Sequence, residues 1–418
     1  MLPLLSLYGF SLHGDDGAVE KDTRSAIIDA SEYPSLQAAF DALPPTGGVI
    51  RLPPGDFRLI QPLILQCGET RVEGAGTSTK LINCNREGKP ALIIQPPNID
   101  NDPMAFIWRV QLANFRICGD PETVDGRSTE PKSGDGILAK NVNELLIQNM
   151  SIDHNGGNGL RMIKCTEDAR VVDSIFTYNR QTGVDITAGH DIVVNANHFE
   201  ENQDALRCVD SFNLCMNGNN IDDHPRHGVV IENTYGSVLS GNMIEECQDA
   251  AVVLDRSCYG ITISANVIAH NFGGGVDLRG AWGCTLSANT FVLNPVLSIR
   301  AGPGTGRITI TGNNFSDSFI GGKTRRRVKD NAAAGIILIG ADDIAISGNT
   351  FSGLNTLAVA ADERCRRLVI IGNVIIHSAG GRSDDHPIKC ADKQAVIEHN
   401  SVANQTALEP SNAPTSAE

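Results

Sequence analysis

The chain has 418 residues, of which 41% are hydrophobic and only 5% aromatic, and its formal net charge at pH 7 is −15. So acidic a protein is a poor nonspecific nucleic-acid binder, and it has no apolar run of about 18 residues that would span a membrane. Its eleven cysteines form no CxxC pair and have no metal-type spacing. They read as buried thiols packing as small hydrophobes, Cys208 and Cys284 among them.

In chain order, residues 1–33 form an N-terminal segment whose apolar start, MLPLLSLYGFSLHG, lacks a basic flank and a clear cleavage site. It reads as the remnant of a signal peptide, which sets the expectation of an extracellular or periplasmic protein. Apolar residues at 36, 39, 40 and 43 predict a short amphipathic helix over 34–43. We expect it to cap one end of a repeat domain that runs over 34–404. Residues 405–418 are rich in Ser, Pro and Ala and read as a disordered tail.

The repeat is visible in two registers. The motif Asn-x-(Phe/Ile/Val) begins at Asn197, Asn219, Asn242, Asn266, Asn289, Asn313, Asn349, Asn373 and Asn400, in steps of 22, 23, 24, 23, 24, 36, 24 and 27. Met150 and Ser174 occupy the same slot earlier. Three residues before each slot stands an apolar residue, for example Val194, Leu239 and Ile263. The second register begins each coil with Gly or Ala, at 136, 159, 183, 205, 228, 251 and 275. Its +1 column (Ile137, Leu160, Val184, Leu206, Val229, Val252, Val276) is wholly apolar. So is its +3 column (Ala139, Met162, Ile186, Cys208, Ile231, Leu254, Leu278). Both therefore point inward, and the +2 and +4 residues point outward. Such a period, with three short strands per turn, predicts an all-β fold: a single-stranded right-handed parallel β-helix of about 11–13 coils. The Asn column reads as structural, each amide bonding to the next coil at a corner.

The N-terminal third carries Asp16-Gly17, then Asp22-Thr23-Arg24-Ser25-Ala26-Ile27, then Gly47-Gly48-Val49-Ile50-Arg51-Leu52-Pro53-Pro54-Gly55, then Gly74-Ala75-Gly76. These residues resemble the pectate-lyase-like superfamily of β-helix proteins, in which a capping helix precedes such a first coil. The resemblance implies the fold. It leaves activity open among polysaccharide lyases, glycosidases, epimerases, esterases and phage tailspikes. The polygalacturonase-type hydrolases of that superfamily place Asn-Thr-Asp, Asp-Asp and Gly-His-Gly at the start of three successive coils. Here those places hold Gln181-Thr182-Gly183, Gln203-Asp204-Ala205 and Arg226-His227-Gly228, so only Asp204 and His227 match.

Three long insertions, at 118–133, 317–333 and 377–387, each follow a third strand and precede the next first strand. All falling at one corner, they are expected to wall a cleft. The same corner carries Glu200-Glu201, Asp222-Asp223 and Glu245-Glu246, six carboxylates on three adjacent coils. Crowding of this kind raises pKa values or recruits a cation: the corner reads as a solvated acidic edge or, alternatively, as a Ca²⁺ site with Glu201, Asp223 and Glu246 as oxygen ligands. On the adjoining outward face of the first strand, Asp185, Arg207, Glu232 and Asp255, with His227, are the catalytic candidates. Glu232 and Asp255, one coil apart, have the spacing of a retaining glycosidase pair, whereas Arg161 or Arg207 suits a lyase. Arg161, Asp277 and Arg279 are substrate-binding candidates on that face. Phe212, Tyr235, Tyr259 and Trp282 form an aromatic column at the opposite rim, read as a platform for sugar rings or a stack that plugs a turn. The loop Lys323-Thr324-Arg325-Arg326-Arg327-Val328-Lys329 adds five cations suited to an anionic polymer. The expected function is a carbohydrate-active protein, an enzyme cleaving an acidic polysaccharide as lyase or glycoside hydrolase. The alternatives are a noncatalytic glycan-binding β-helix and a polysaccharide epimerase.

Overall fold

The computed structural model describes residues 26–120, 123–124, 127–128, 132–317, 333–376, 378 and 386–403. The basic loop at 323–329, the tail and much of each of the three insertions lie outside the described residues. The chain winds right-handed through about 14 turns, more than the 11–13 expected. Each turn gives one strand to each of three parallel sheets, of 13, 15 and 14 strands in the order the coil visits them from Gly136. The extra turns lie at the N-terminal end, where the coils are irregular. The second sheet already begins at Ala26–Asp29, upstream of the expected boundary at 34, and pairs with Gly48–Arg51.

Both inward columns of the first sheet are closed to solvent, from Ile137 and Ala139 to Val276 and Leu278. Val184, Leu206, Val229, Val252 and Val276 stand in continuous register. Cys208 and Cys284 are buried among them. Burial pushes the Cys208 thiol up to about 12. With few large rings available, Phe291, Phe315 and Phe351 fill the third side of the core as a stack with centroids 4.8 and 4.6 Å apart.

The Asn column is a continuous ladder from Asn197 to Asn400. From Asn219 on, each Oδ1 accepts two hydrogen bonds from the Asn one coil earlier. For Asn266 these come from the Asn242 backbone N–H (2.9 Å) and Nδ2 (3.0 Å). Its own Nδ2 donates to Asn289 Oδ1 (3.0 Å) and to the Leu239 carbonyl (3.1 Å). The residue before each slot turns through left-handed backbone, which explains Gly218 (φ 62°) and Gly241 (φ 66°).

The predicted helix forms over Leu36–Asp41, capped by Ser35, whose hydroxyl accepts from the Ala38 N–H. Leu36, Ala39 and Phe40 join the core. Gln37 lies against the outermost strand of the first sheet, Leu63–Leu65. Its side-chain amide accepts from the Ile64 N–H (2.9 Å) and donates to the Ile64 carbonyl (3.1 Å), as a neighbouring strand would.

Ile263 is fully buried on the second sheet. Ile263→Asp should cost about 3–5 kcal/mol or prevent folding, because it buries an unpaired charge. Thermal unfolding followed by circular dichroism checks this, and an unchanged melting temperature would refute the inward register.

Candidate functional site

The outward +2 residues of the first sheet stand in one line, Arg161, Asp185, Arg207, Val230, Val253, Asp277 and Arg300, each one strand from the next. Neighbours on adjacent strands are only about 4.8 Å apart, so like charges there would repel and alternating signs attract. The first three alternate. Asp185 lies between Arg161 Nε (3.5 Å) and Arg207 Nη1 (3.6 Å). Arg207 continues to Glu232 Oε1 through Nε (3.1 Å) and Nη2 (3.0 Å), and Glu232 Oε2 meets Arg256 Nη2 at 2.6 Å. A chain of five alternating charges thus runs along the solenoid axis.

This line and the preceding turns line a groove of about 470 Å³. Arg161, Asp185, Arg207, Glu232, Asp255 and Arg279 surround it, with His227 at its edge and Val230 and Val253 in its floor. The five catalytic candidates thus meet in one place with Arg161 and Arg279, whereas Asp277, the aromatic column and Glu201, Asp223 and Glu246 lie outside it. Asn158, Gln181, Thr182, Gln203 and Arg226 also line it and were not anticipated. Their signal is positional, because they sit at the turn just before each coil's Gly or Ala.

Asp185 was expected to be exposed, yet it is only 6% exposed because the two flanking guanidiniums cover it. Burial raises its pKa, against the opposing pull of Arg207 and Arg161. Asp204 is fully buried, grips Arg226 with both oxygens and accepts the His227 backbone N–H (3.0 Å). Burial lowers the pKa of His227, opposed by Asp204 and Asp249. Glu232 and Asp255 stand in register, as the paired-carboxylate reading requires. However, both Glu232 oxygens are held by guanidiniums, which leaves none for a nucleophile. Asp277 is buried and held by Arg279 and by both nitrogens of Arg300 (2.7 and 2.6 Å), so it braces the sheet beside the groove and does not line it.

The aromatic column is real, and His190 extends it. His190–Phe212, Phe212–Tyr235 and Tyr235–Tyr259 stack with centroids 4.7, 5.1 and 4.8 Å apart and planes within 11°. Arg307 lies over Trp282 (5.5 Å). Phe212 and Tyr235 spend both faces on neighbouring rings, and a sugar needs a free face. They lie apart from the groove, so the stack reading fits better than the platform.

The insertions are not all at one corner, because residues 95–109 form another between the first and second sheets. Glu201, Asp223 and Glu246 share one column but occupy the left-handed residue of the turn (φ 50–56°). Glu201 has a raised pKa, from burial first and then from Asp223 and Glu200. The tightest ligand-like grouping among the described residues is Glu245, Glu246 and His270, within 4.8 Å, and it includes only Glu246 of the expected three.

Directly behind that column runs a second ladder that the sequence reading missed. Asn155 donates to Asn179 (2.9 Å) and Asn179 to Asn202 (2.8 Å), and Asn271 donates to Asn294 (3.2 Å). Between them the slot holds His224 and Cys247, both fully buried. His224 Nδ1 donates to the Asn202 carbonyl (2.7 Å), while Nε2 has no partner. Burial pushes its pKa down to about 4.

The fold and groove can now be set beside known proteins. Residues 135–291 match the family described as right handed beta helix region. No curated protein matches the chain in sequence. Among solved structures it is similar to the A-module of a mannuronan C-5 epimerase from Azotobacter vinelandii. That likeness has a TM-score of 0.58 at 15% identity and covers 91% of this chain and all of that one. It is also similar to a periplasmic alginate epimerase (TM-score 0.53, 14% identity, 84% of each chain). A third is DFA-IIIase from Arthrobacter chlorophenolicus A6 in complex with GF2 (TM-score 0.51, 16% identity, 91% of this chain and 99% of that). The protein is a right-handed parallel β-helix repeat protein, as its resemblance to the pectate-lyase-like superfamily implied. Likeness at this identity establishes the fold alone.

Because the folded pKa of His224 lies below its unfolded value near 6.5, the unfolded chain takes up its proton first as pH falls. Stability is therefore complete above pH 6.5 and declines toward pH 4, by on the order of 3 kcal/mol. His224→Asn extends the ladder one rung from Asn202, with Cys247 still interrupting it, and removes this loss. The variant's melting temperature should exceed the parent's more at pH 5 than at pH 7. An equal gap at both pH values would remove His224 as the cause.

Proposed function

We propose that the protein is a carbohydrate-active enzyme acting on an acidic poly- or oligosaccharide in this groove. The observation that carries the reading is the convergence of four guanidiniums, Arg161, Arg207, Arg226 and Arg279, on one groove of a protein whose net charge is −15. Arginine suits planar, bidentate recognition of carboxylates. Arg161 is the one most available to a ligand, with a side chain 46% exposed and, among the described residues, an ion pair no shorter than 3.5 Å. Chemistry beside a uronate carboxylate fits better than hydrolysis by a carboxylate pair, since Glu232 has no unengaged oxygen. Asp185, with its raised proton affinity, is the proton carrier in this reading, and Arg161 and Arg207 neutralise the sugar carboxylate. Elimination and epimerisation share that first step. Two neighbours are named as mannuronan and alginate epimerases, which puts polymannuronate first on the substrate panel. One neighbour is named as periplasmic, in keeping with a periplasmic or extracellular location.

A second reading, a noncatalytic glycan-binding β-helix, draws on the ion-paired state of Asp185, Glu232 and Asp255. Incubation with polymannuronate, polyguluronate and polygalacturonate separates the readings. Ultraviolet-absorbing product marks a lyase, and reducing ends without that absorbance mark a hydrolase. A changed sugar composition by NMR marks an epimerase, and binding alone marks the second reading. Arg161→Ala and Asp185→Asn should each lower turnover by about 100-fold or more while shifting stability by about 1 kcal/mol or less. Full activity in both folded variants would move the site elsewhere. Arg207→Ala should lose turnover too, with a larger stability cost because it strips a partner from both Asp185 and Glu232.

A further inference from the structure

His227 is held on two sides. Its backbone N–H donates to Asp204 Oδ1 at 3.0 Å, and Asp204 is itself locked to Arg226. Its ring Nδ1 accepts the backbone N–H of Ala250, one coil on, at 3.2 Å. An amide N–H only donates, so Nδ1 must present its lone pair there, and the ring proton of the neutral imidazole sits on Nε2. Moving that proton to Nδ1, or adding a second one there, would set two N–H donors against each other. Both the form with a free Nε2 lone pair and the imidazolium are disfavoured by this contact.

His227 lines the groove, and Nε2 is the ring nitrogen that the Ala250 contact does not engage. Its nearest carboxylate oxygen, Asp249 Oδ2, is 4.0 Å away, beyond hydrogen-bond reach. The charged groups that act on the ring are Asp204 and Asp249 on one side and Arg226 and Arg279 on the other, two of each sign. Burial of the ring works in the same direction as the Ala250 contact.

We infer that His227 meets the ligand as a neutral hydrogen-bond donor, with Nε2–H presented to a carboxylate oxygen of an acidic sugar, and that it is not the base of the reaction. This rests on the reading of the groove as an acidic-glycan site. It extends that reading by naming an uncharged donor that stands among the four guanidiniums. A fixed imidazole N–H adds direction to a carboxylate contact that charge alone leaves loose.

Two measurements test this. Long-range ¹H–¹⁵N correlation spectra of histidine-labelled protein, with the His227 signals assigned from the His227→Gln spectrum, report the tautomer without any ligand. The Nε2-protonated neutral form is expected at pH 7. An Nδ1-protonated ring or an imidazolium at that pH would overturn the inference whatever the substrate proves to be. Calorimetric titration with oligomannuronate and oligogalacturonate then tests the contact. For the oligomer that the parent binds, His227→Gln, which keeps a donor but is no base, should stay within about threefold in affinity. His227→Phe should weaken binding by about tenfold or more. If Gln binds as poorly as Phe in variants with parental melting temperatures, the donor role is wrong. If the parent binds neither oligomer, the acidic-glycan reading and this contact fall together, while the spectrum still decides the tautomer.

Discussion

The structure depends on one contact repeated from coil to coil: the side-chain amide of a buried Asn bonded to the same amide of the next coil. A solenoid buries a corner at every turn, and corners expose backbone groups that no strand pairs. Each Asn in the ladder, such as Asn266, satisfies a backbone N–H and a carbonyl of adjacent coils besides its own kind. An unsatisfied buried group would cost about 1–3 kcal/mol at each turn, so the ladder removes a penalty that otherwise grows with length. It also fixes register. Once Asn stands on Asn, every other residue of a coil stands on its counterpart, and the surface becomes a set of columns.

That column logic is why so much was legible in the sequence. Val184 to Val276 had to point inward because their column is apolar in every coil, and they do. The groove's charged residues were found because columns on the outward side hold Arg, Asp and Glu where solvent-facing strands have no need of alternation. Outward, however, is a direction and not an exposure. Asp185 faces away from the core and is still buried, since long side chains one coil above and below close over it. Sequence spacing carries no information about what an arginine leans on. The same gap hid the fate of Tyr235, whose column was correct and whose two faces are taken by Phe212 and Tyr259.

The acidic corner shows a different limit. Glu201, Asp223 and Glu246 recur at the left-handed residue that turns the chain into the second ladder, a position that His154, Tyr178 and His270 fill in other coils, so the backbone sets the column and not its acidity. That ladder escaped notice because His224 and Cys247 interrupt its run of Asn. The early coils were undercounted for a related reason, as the insertion at 95–109 and the irregular strands before it break the period on which counting relied.

His224 and His227 stand three residues apart on one turn and show how far the backbone decides what a side chain can do. His224 faces in and gives its Nδ1 proton to the Asn202 carbonyl, which leaves Nε2 as an unpartnered acceptor in a dry corner. His227 faces out and takes the Ala250 N–H on Nδ1, which leaves Nε2 as a donor beside the groove. Burial lowers the proton affinity of both. Composition treats them as two equivalent titratable groups. The coil assigns them opposite tautomers, one at a cost to stability and the other facing the groove, by offering a carbonyl to the first and an amide to the second.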